Sequence, residues 1–383
     1  MVDFKLIPSL DYLAGVKISL AILYNPQVSN LVFGSSCHFP EVLEEVYGIL
    51  DDFKLPAECC KKIKIIAMNM IQELITWRSY HSSIINPSQM SMTYLCWTTL
   101  GAIDKLKTAH KLLSEPHLDI VSRFRLACEY CFYCDAFTIS ETMSDEEERR
   151  SSNHTILGRW IRHHHERPVC LISYITDTYP EIDDNELLES FITCIESEID
   201  DCSVHELSFL LDKKPAEHMR ILRTAALSEH ITRDVRLFCF QQLDQGTQEE
   251  VIEKFPVEVL LCFLTWPFQS CFLDLADRIW DTISPEDFCT IIRHFLTIMK
   301  RFFWQNFELV EILQQLWHRS PVNFKDRANQ SSISEPLNIL LNCKSLESLN
   351  INRLDEAYTN SMRSPRVMVR TCVLYFDSRR QQS

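Results

Sequence analysis

Glycine is what this chain does without. Six residues in 383 are glycine, about 1.6 per cent, where soluble proteins use about 7 per cent. Tight β-hairpins, phosphate-cradling loops and turns at positive φ all draw on glycine, because only a residue without Cβ enters those backbone regions at no steric cost. A chain so poor in it is expected to be all-α, with helices joined at proline and polar corners. The absence of Gly-x-Gly-x-x-Gly, of a P-loop, of Gly-x-Ser-x-Gly and of His-Glu-x-x-His agrees with that expectation and leaves no catalytic motif to build on. The chain therefore reads as a non-enzyme without a cofactor.

The corners keep a cadence. Prolines fall at Pro26, Pro56, Pro87 and Pro116, spaced by 30, 31 and 29 residues. Asp145 follows 29 residues on, and then Pro180, Pro215, Gln248, Pro285 and Pro321 at spacings of 35, 35, 33, 37 and 36. A period of this length, with about two helices in each, predicts an irregular α-solenoid of stacked helical hairpins. An irregular helical bundle is the alternative, since helix, loop and helix together occupy about 30 residues in any all-α chain. In the sequence Ser284-Pro285-Glu286-Asp287, Ser284 is placed to cap a helix, Pro285 to occupy its first position and Asp287 to complete a capping box. Thr247 and Glu250 repeat the pattern without the proline. Helices are expected over residues 10–24, 41–53, 58–77 and 88–113. Acid-rich residues 138–152 are expected to be a loop or a frayed helix, dividing an N-terminal block, 1–137, from a C-terminal helical-repeat block, 153–322. A polar linker and basic tail fill 323–383.

The densest mixture of apolar, aromatic and sulfur side chains is residues 120–137, IVSRFRLACEYCFYCDAF. Wound as one helix, it places Ile120, Phe124, Ala127, Cys128, Cys131 and Cys134 on one stripe. Leu126, Tyr130, Tyr133 and Phe137 form a second stripe beside it. A rod apolar on most sides must be covered on most sides, so it belongs in the middle of a helical stack. Cys128, Cys131 and Cys134 are also candidate ligands for a soft metal or a redox centre. The competing reading is three small apolar side chains along a buried stripe, because free cysteine is among the most buried residue types. Residues Arg123 to Phe132 resemble the core of a set of arthropod α-helical-repeat proteins built around Arg-x-x-Leu-Ala-Cys-x-Tyr-Cys. That resemblance implies an all-helical fold and supplies no catalytic residue.

A net charge of −15 argues against nucleic acid, whose phosphates need a basic face, and favours a protein partner of basic character. Residues 181–201 carry nine acids and no base. On a helix Glu186, Glu189, Glu196 and Glu198 would form an outer edge, either a docking face for a basic segment or an ordinary solvated face. The sixteen cysteines are scattered rather than framed for disulfides, which points to a reducing cytoplasmic or nuclear setting. The apolar, uncharged run 259–273 is too short to span a bilayer and is broken by Pro267, so no membrane association is expected. The His163-His164-His165 run cannot turn three imidazoles to one side of a helix. The tryptophans, Trp304 and Trp317 among them, read as wedges between helices or as the lining of a peptide groove.

Overall fold

A computed structural model describes residues 9–34, 38–86, 89–151, 202–343 and 349–362, with scattered positions between 155 and 199. Helices begin where a short polar side chain can satisfy the exposed N–H groups of a first turn. Ser9 caps α1, Leu10–Leu23, and Asn25 caps α2, Pro26–Phe33. Proline opens the next two, α3, Phe39–Asp52, and α4, Ala57–His81. Asp104 caps α5, Lys105–Leu113, and Asp119 caps α6, Ile120–Glu129. Then come α7, Tyr133–Thr142, and α8, Asp145–Arg150. Beyond residue 201 are α9, Val204–Lys213; α10, His218–Ala226; α11, Arg233–Gln242; α12, Gln245–Lys254; and α13, Pro256–Cys262. The chain continues with α14, Phe272–Ile279; α15, Pro285–Arg301; α16, Phe307–Arg319; α17, Val322–Asn329; α18, Ser334–Leu341; and α19, Ile351–Met362. The fold is all-α. Among the described residues no strand forms, and Trp97 and Ile103 make an isolated antiparallel bridge. No described helix is long and apolar enough to cross a membrane.

Two compact units divide between Pro267 and Phe268. In the first, α4 is the axis of an N-terminal group: α1 and α3 pack along it, and α2 packs on α3. Arg78 on α4 donates to the carbonyls of Val32, at 2.6 Å, and Gly34, at 2.7 Å, and so closes the end of α2. Further along, alternate helices stack: α9 on α11 and α11 on α13. Opposite them, α10 meets α12 through a two-pronged pair, Arg223 to Glu250 at 3.0 and 2.8 Å. The second unit repeats the habit. Helix α14 packs on α16 and α16 on α18, while α15 packs on α17. Helix α19 returns against α15, where Asp355 accepts from Lys300 and from the Trp304 indole.

Several local expectations meet their structures directly. Ser284, Pro285 and Asp287 form the capping box at the start of α15. At α12 the cap is Asp244, whose carboxylate accepts from the Thr247 N–H at 3.1 Å, so Thr247 lies inside the helix rather than before it. Residues 138–152 are mostly helical rather than a loop. Ser144 and Glu147 build a second capping box, four carboxylates occupy the first turn of α8, and Arg149 and Arg150 close the last, each sign at its favourable pole. The expected linker after residue 322 also holds helices, α17, α18 and α19, and the compact units divide at 267/268 rather than at 138–152. Residues 363–383 lie outside the described residues. The single helix expected over 88–113 is instead a 3₁₀ turn at Met92–Tyr94, a small bridge and α5. Gly101 at φ +86 turns the chain there, and Thr98 N–H closes on the Ala102 carbonyl at 2.8 Å.

Scarcity of glycine has not removed left-handed corners. Lys54, Cys131, Phe303 and Trp304 take φ of 51, 54, 51 and 62°. At Cys131 the Phe132 N–H reaches back to the Ala127 carbonyl at 2.8 Å, and at Phe303 the Trp304 N–H reaches the Met299 carbonyl at 2.8 Å. These are Schellman closures, completed without glycine. Lys54 takes the same left-handed backbone at the exposed end of α3, where its N–H bonds the Asp51 carbonyl at 3.3 Å. Left-handed strain of about 1–2 kcal/mol exceeds the entropy lost by introducing glycine, about 0.5–1 kcal/mol. Lys54→Gly is therefore expected to stabilise the chain by roughly 0.5–1 kcal/mol, read as a higher denaturant midpoint.

Candidate functional site at the Tyr130–Phe132 corner

Asp119 starts α6 by accepting from the N–H groups of Val121 and Ser122, at 3.1 and 3.0 Å, and from the Ser122 hydroxyl at 2.8 Å. The helix runs ten residues to Glu129, and the chain turns away at the left-handed Cys131. The helix expected over 120–137 is therefore two helices with a bend between them. The bend separates the three cysteines: Cys128 and Cys131 are buried, and Cys134 on α7 is exposed. Burial pushes the Cys131 thiol well above its usual range, with Glu206 adding to the shift, which is the setting of an inert rather than a reactive sulfur. Among the described residues no three His, Cys, Asp or Glu side chains gather as a metal site requires.

What the bend does gather is aromatic and imidazole rings. His81, at the last turn of α4, is 2 per cent exposed, and Tyr130 is 3 per cent exposed. His81 Nδ1 lies 2.7 Å from the Trp77 carbonyl, and Nε2 lies 2.8 Å from the Tyr130 hydroxyl. A backbone carbonyl only accepts, so Nδ1 carries the proton and Nε2 accepts from Tyr130. Trp77 stacks on His81 at 4.3 Å, and His205 of α9 lies over Tyr130 at 4.6 Å. Phe132 stacks on His110 of α5 at 3.8 Å, and Tyr133 on Phe209 of α9 at 6.2 Å. At the rim the exposed Tyr80 donates to the Glu129 carboxylate. Three helices, α4, α5 and α9, thus converge on Tyr130, Phe132 and Tyr133.

Burial sets the electrostatics. It lowers His81 to about 3, an effect that Lys105 and His205 reinforce and the Trp77 carbonyl opposes. It lowers His205 to about 4, again with Lys105 adding to the effect. Burial also raises the Tyr130 hydroxyl above its usual range, with Glu129 and Glu73 reinforcing the shift. Both imidazoles are neutral at pH 7, and the Tyr130–His81 hydrogen bond is buried. Its chemistry is cohesion: a polarised hydrogen bond inside an aromatic stack.

The acidic edge is only partly on view. Glu196 is engaged within the chain, 2.8 Å from Lys214 and 4.0 Å from Arg220. Glu186, Glu189 and Glu198, like His163, His164 and His165, lie outside the described residues. Tryptophans serve as wedges: Trp77 and Trp304 are buried, and Trp280 and Trp317 pack around Phe288 at 6.1 and 6.2 Å. His81 and His205 were not foreseen. The nearest signal for His81 was its place one turn after Trp77 on a strongly apolar helix; His205 offered none. Comparison with protein-family models, with curated proteins and with solved structures finds no match to the chain.

Proposed function

We propose that the chain is an adaptor or scaffold, a non-enzymatic α-solenoid-like protein that presents a helical surface to a basic protein partner in a reducing compartment. The carrying observation is the stacking of alternate helices in both units. It puts apolar surface between helices and leaves the outer turns to solvent. Kinship with arthropod α-helical-repeat proteins would fit the same reading. Large apolar side chains stand out on these turns, Phe53 at 54 per cent exposure, Phe303 at 48 and Val322 at 71. Exposed aromatic and aliphatic side chains of this kind anchor protein interfaces. At the Tyr130 corner His81 and Tyr130 are buried, which supports cohesion over turnover.

The test is capture of the full-length tagged chain after crosslinking in cells. One protein is expected at close to one-to-one stoichiometry. Phe53→Glu, Phe303→Glu and Val322→Glu alter only outer turns, and at least one is expected to lower recovery about tenfold, a loss of about 1.4 kcal/mol, with the denaturant midpoint unchanged. Absence of a stoichiometric partner, or equal recovery by all three variants, overturns the proposal.

A further inference from the structure

We propose that the Trp77–His81–Tyr130–His205 stack is a proton-gated joint, which holds α9 against the α4–α6 corner while both imidazoles are neutral and lets go when they are protonated. The argument starts from geometry. His81 Nε2 can accept the Tyr130 hydrogen bond, at 2.8 Å, only while it carries no proton. Protonation of His81 ends that acceptance, forces the Tyr130 O–H to turn away so that its oxygen accepts instead, and places a charge in a buried space beside the Trp77 and Tyr130 rings, at 4.3 and 5.7 Å. His205 of α9 lies against the same Tyr130 ring, at 4.6 Å. Protonation of both imidazoles would set two like charges beside one phenol.

The surrounding groups decide whether a counter-charge is at hand. From α4 come Glu73 and Tyr80, and from α5 Lys105 and His110. The corner supplies Glu129 and Cys131, and α9 supplies Glu206 beside His205. Lys105 acts on both imidazoles and opposes their protonation. Glu129 already accepts from Tyr80, and Glu206 completes the capping box of Ser203, with the Ser203 N–H at 2.9 Å from its carboxylate. Glu73 bonds the Ile103 backbone, and burial pushes its carboxyl upward, so its own titration works in the opposite sense to that of the histidines.

The sign follows from linkage. An imidazole buried neutral takes its proton more readily once the joint has opened. The opened state therefore binds more protons over the interval from pH 6.5 down to about 4 for His205 and about 3 for His81. Closure is fully favoured above pH 6.5 and is lost as pH falls. Each histidine raises the opening constant about tenfold per pH unit in that interval, so at pH 5 one contributes about 30-fold and two about 1,000-fold.

Amide hydrogen exchange of the full chain from pH 7.5 to 5, corrected for intrinsic rates, tests this. Peptides covering residues 77–81, 126–133 and 204–213 are expected to lose protection by about two decades per pH unit below pH 6.5, whereas α14, which carries no histidine, does not. His205→Phe keeps a ring against Tyr130, removes one titrating group, and is expected to halve the slope at residues 77–81, which it does not touch in sequence. Should His205→Phe destabilise the chain, His205→Gln reports the same halving. A slope at these three segments equal to that of α14, or one unchanged in both variants, overturns the proposal.

Discussion

Arg236→Ala is expected to lower the stability of the chain by about 2–5 kcal/mol, since each carbonyl that loses its donor costs about 1–3 kcal/mol. Arg236 is 2 per cent exposed. Its guanidinium donates to the carbonyls of Ala226, at 2.6 Å, and Ser228, at 2.9 Å, and lies 4.1 Å over the Phe255 ring. A helix end leaves its last carbonyls without partners, and here α11 supplies both donors to the end of α10. Alanine would take the donor from the buried Ala226 carbonyl and from the half-buried Ser228 carbonyl, and empty the space above Phe255. Lysine offers a point charge where a planar fork is needed, so Arg236→Lys is expected to recover less than half of the loss. Urea unfolding of the three proteins checks the order. Equal midpoints for arginine and alanine would show that the bridge contributes nothing.

Gly101→Ala is expected to cost about 2–4 kcal/mol, the sum of left-handed strain and overpacking. Gly101 has φ +86, and a Cβ there would stand 2.9 Å from the Trp266 ring and 3.2 Å from Met70 Sδ. Methionine can move aside, but the indole is a rigid plate. Gly48, inside α3, meets nothing within 4 Å, and Gly48→Ala is expected to stabilise by about 0.5–1 kcal/mol through helix propensity. The two substitutions are chemically identical and opposite in sign. Thermal or denaturant unfolding reads both, and a shared sign would refute the assignment of Gly101.

Local chemistry was legible where one turn of helix decides it. Ser284, Pro285 and Asp287 lie within four residues of each other, and their roles follow from side-chain reach alone. Thr247 was misassigned because Asp244, three residues earlier, offers a better acceptor to the same turn. The bend at Cys131 was hidden because left-handed corners ordinarily advertise themselves with glycine or asparagine, and this one is a cysteine held by burial. Residues 88–113 read as one helix because their apolar density outweighed Gly101, the residue that ends the regularity. Nothing in the order of residues brings His81 to Tyr130, 49 positions away; that pairing exists only once α4 and α6 have packed. The acids of α8 suggest a loop or frayed helix in the sequence, because their favourable pole appears only when Ser144 has closed its box.

The stacking of alternate helices also limits how such a chain can change its length. In residues 204–262 and in 272–341 helices lean on the helix two places away, with α10 tied to α12 by Arg223 and Glu250, so deletion of one would hand the later helices of the same unit the seats of their neighbours, with their greasy sides turned to water. Deletion of two leaves the parity intact. Shortened or lengthened versions that fold are therefore expected to differ by even numbers of helices, a restriction that acts on recombination and on design alike.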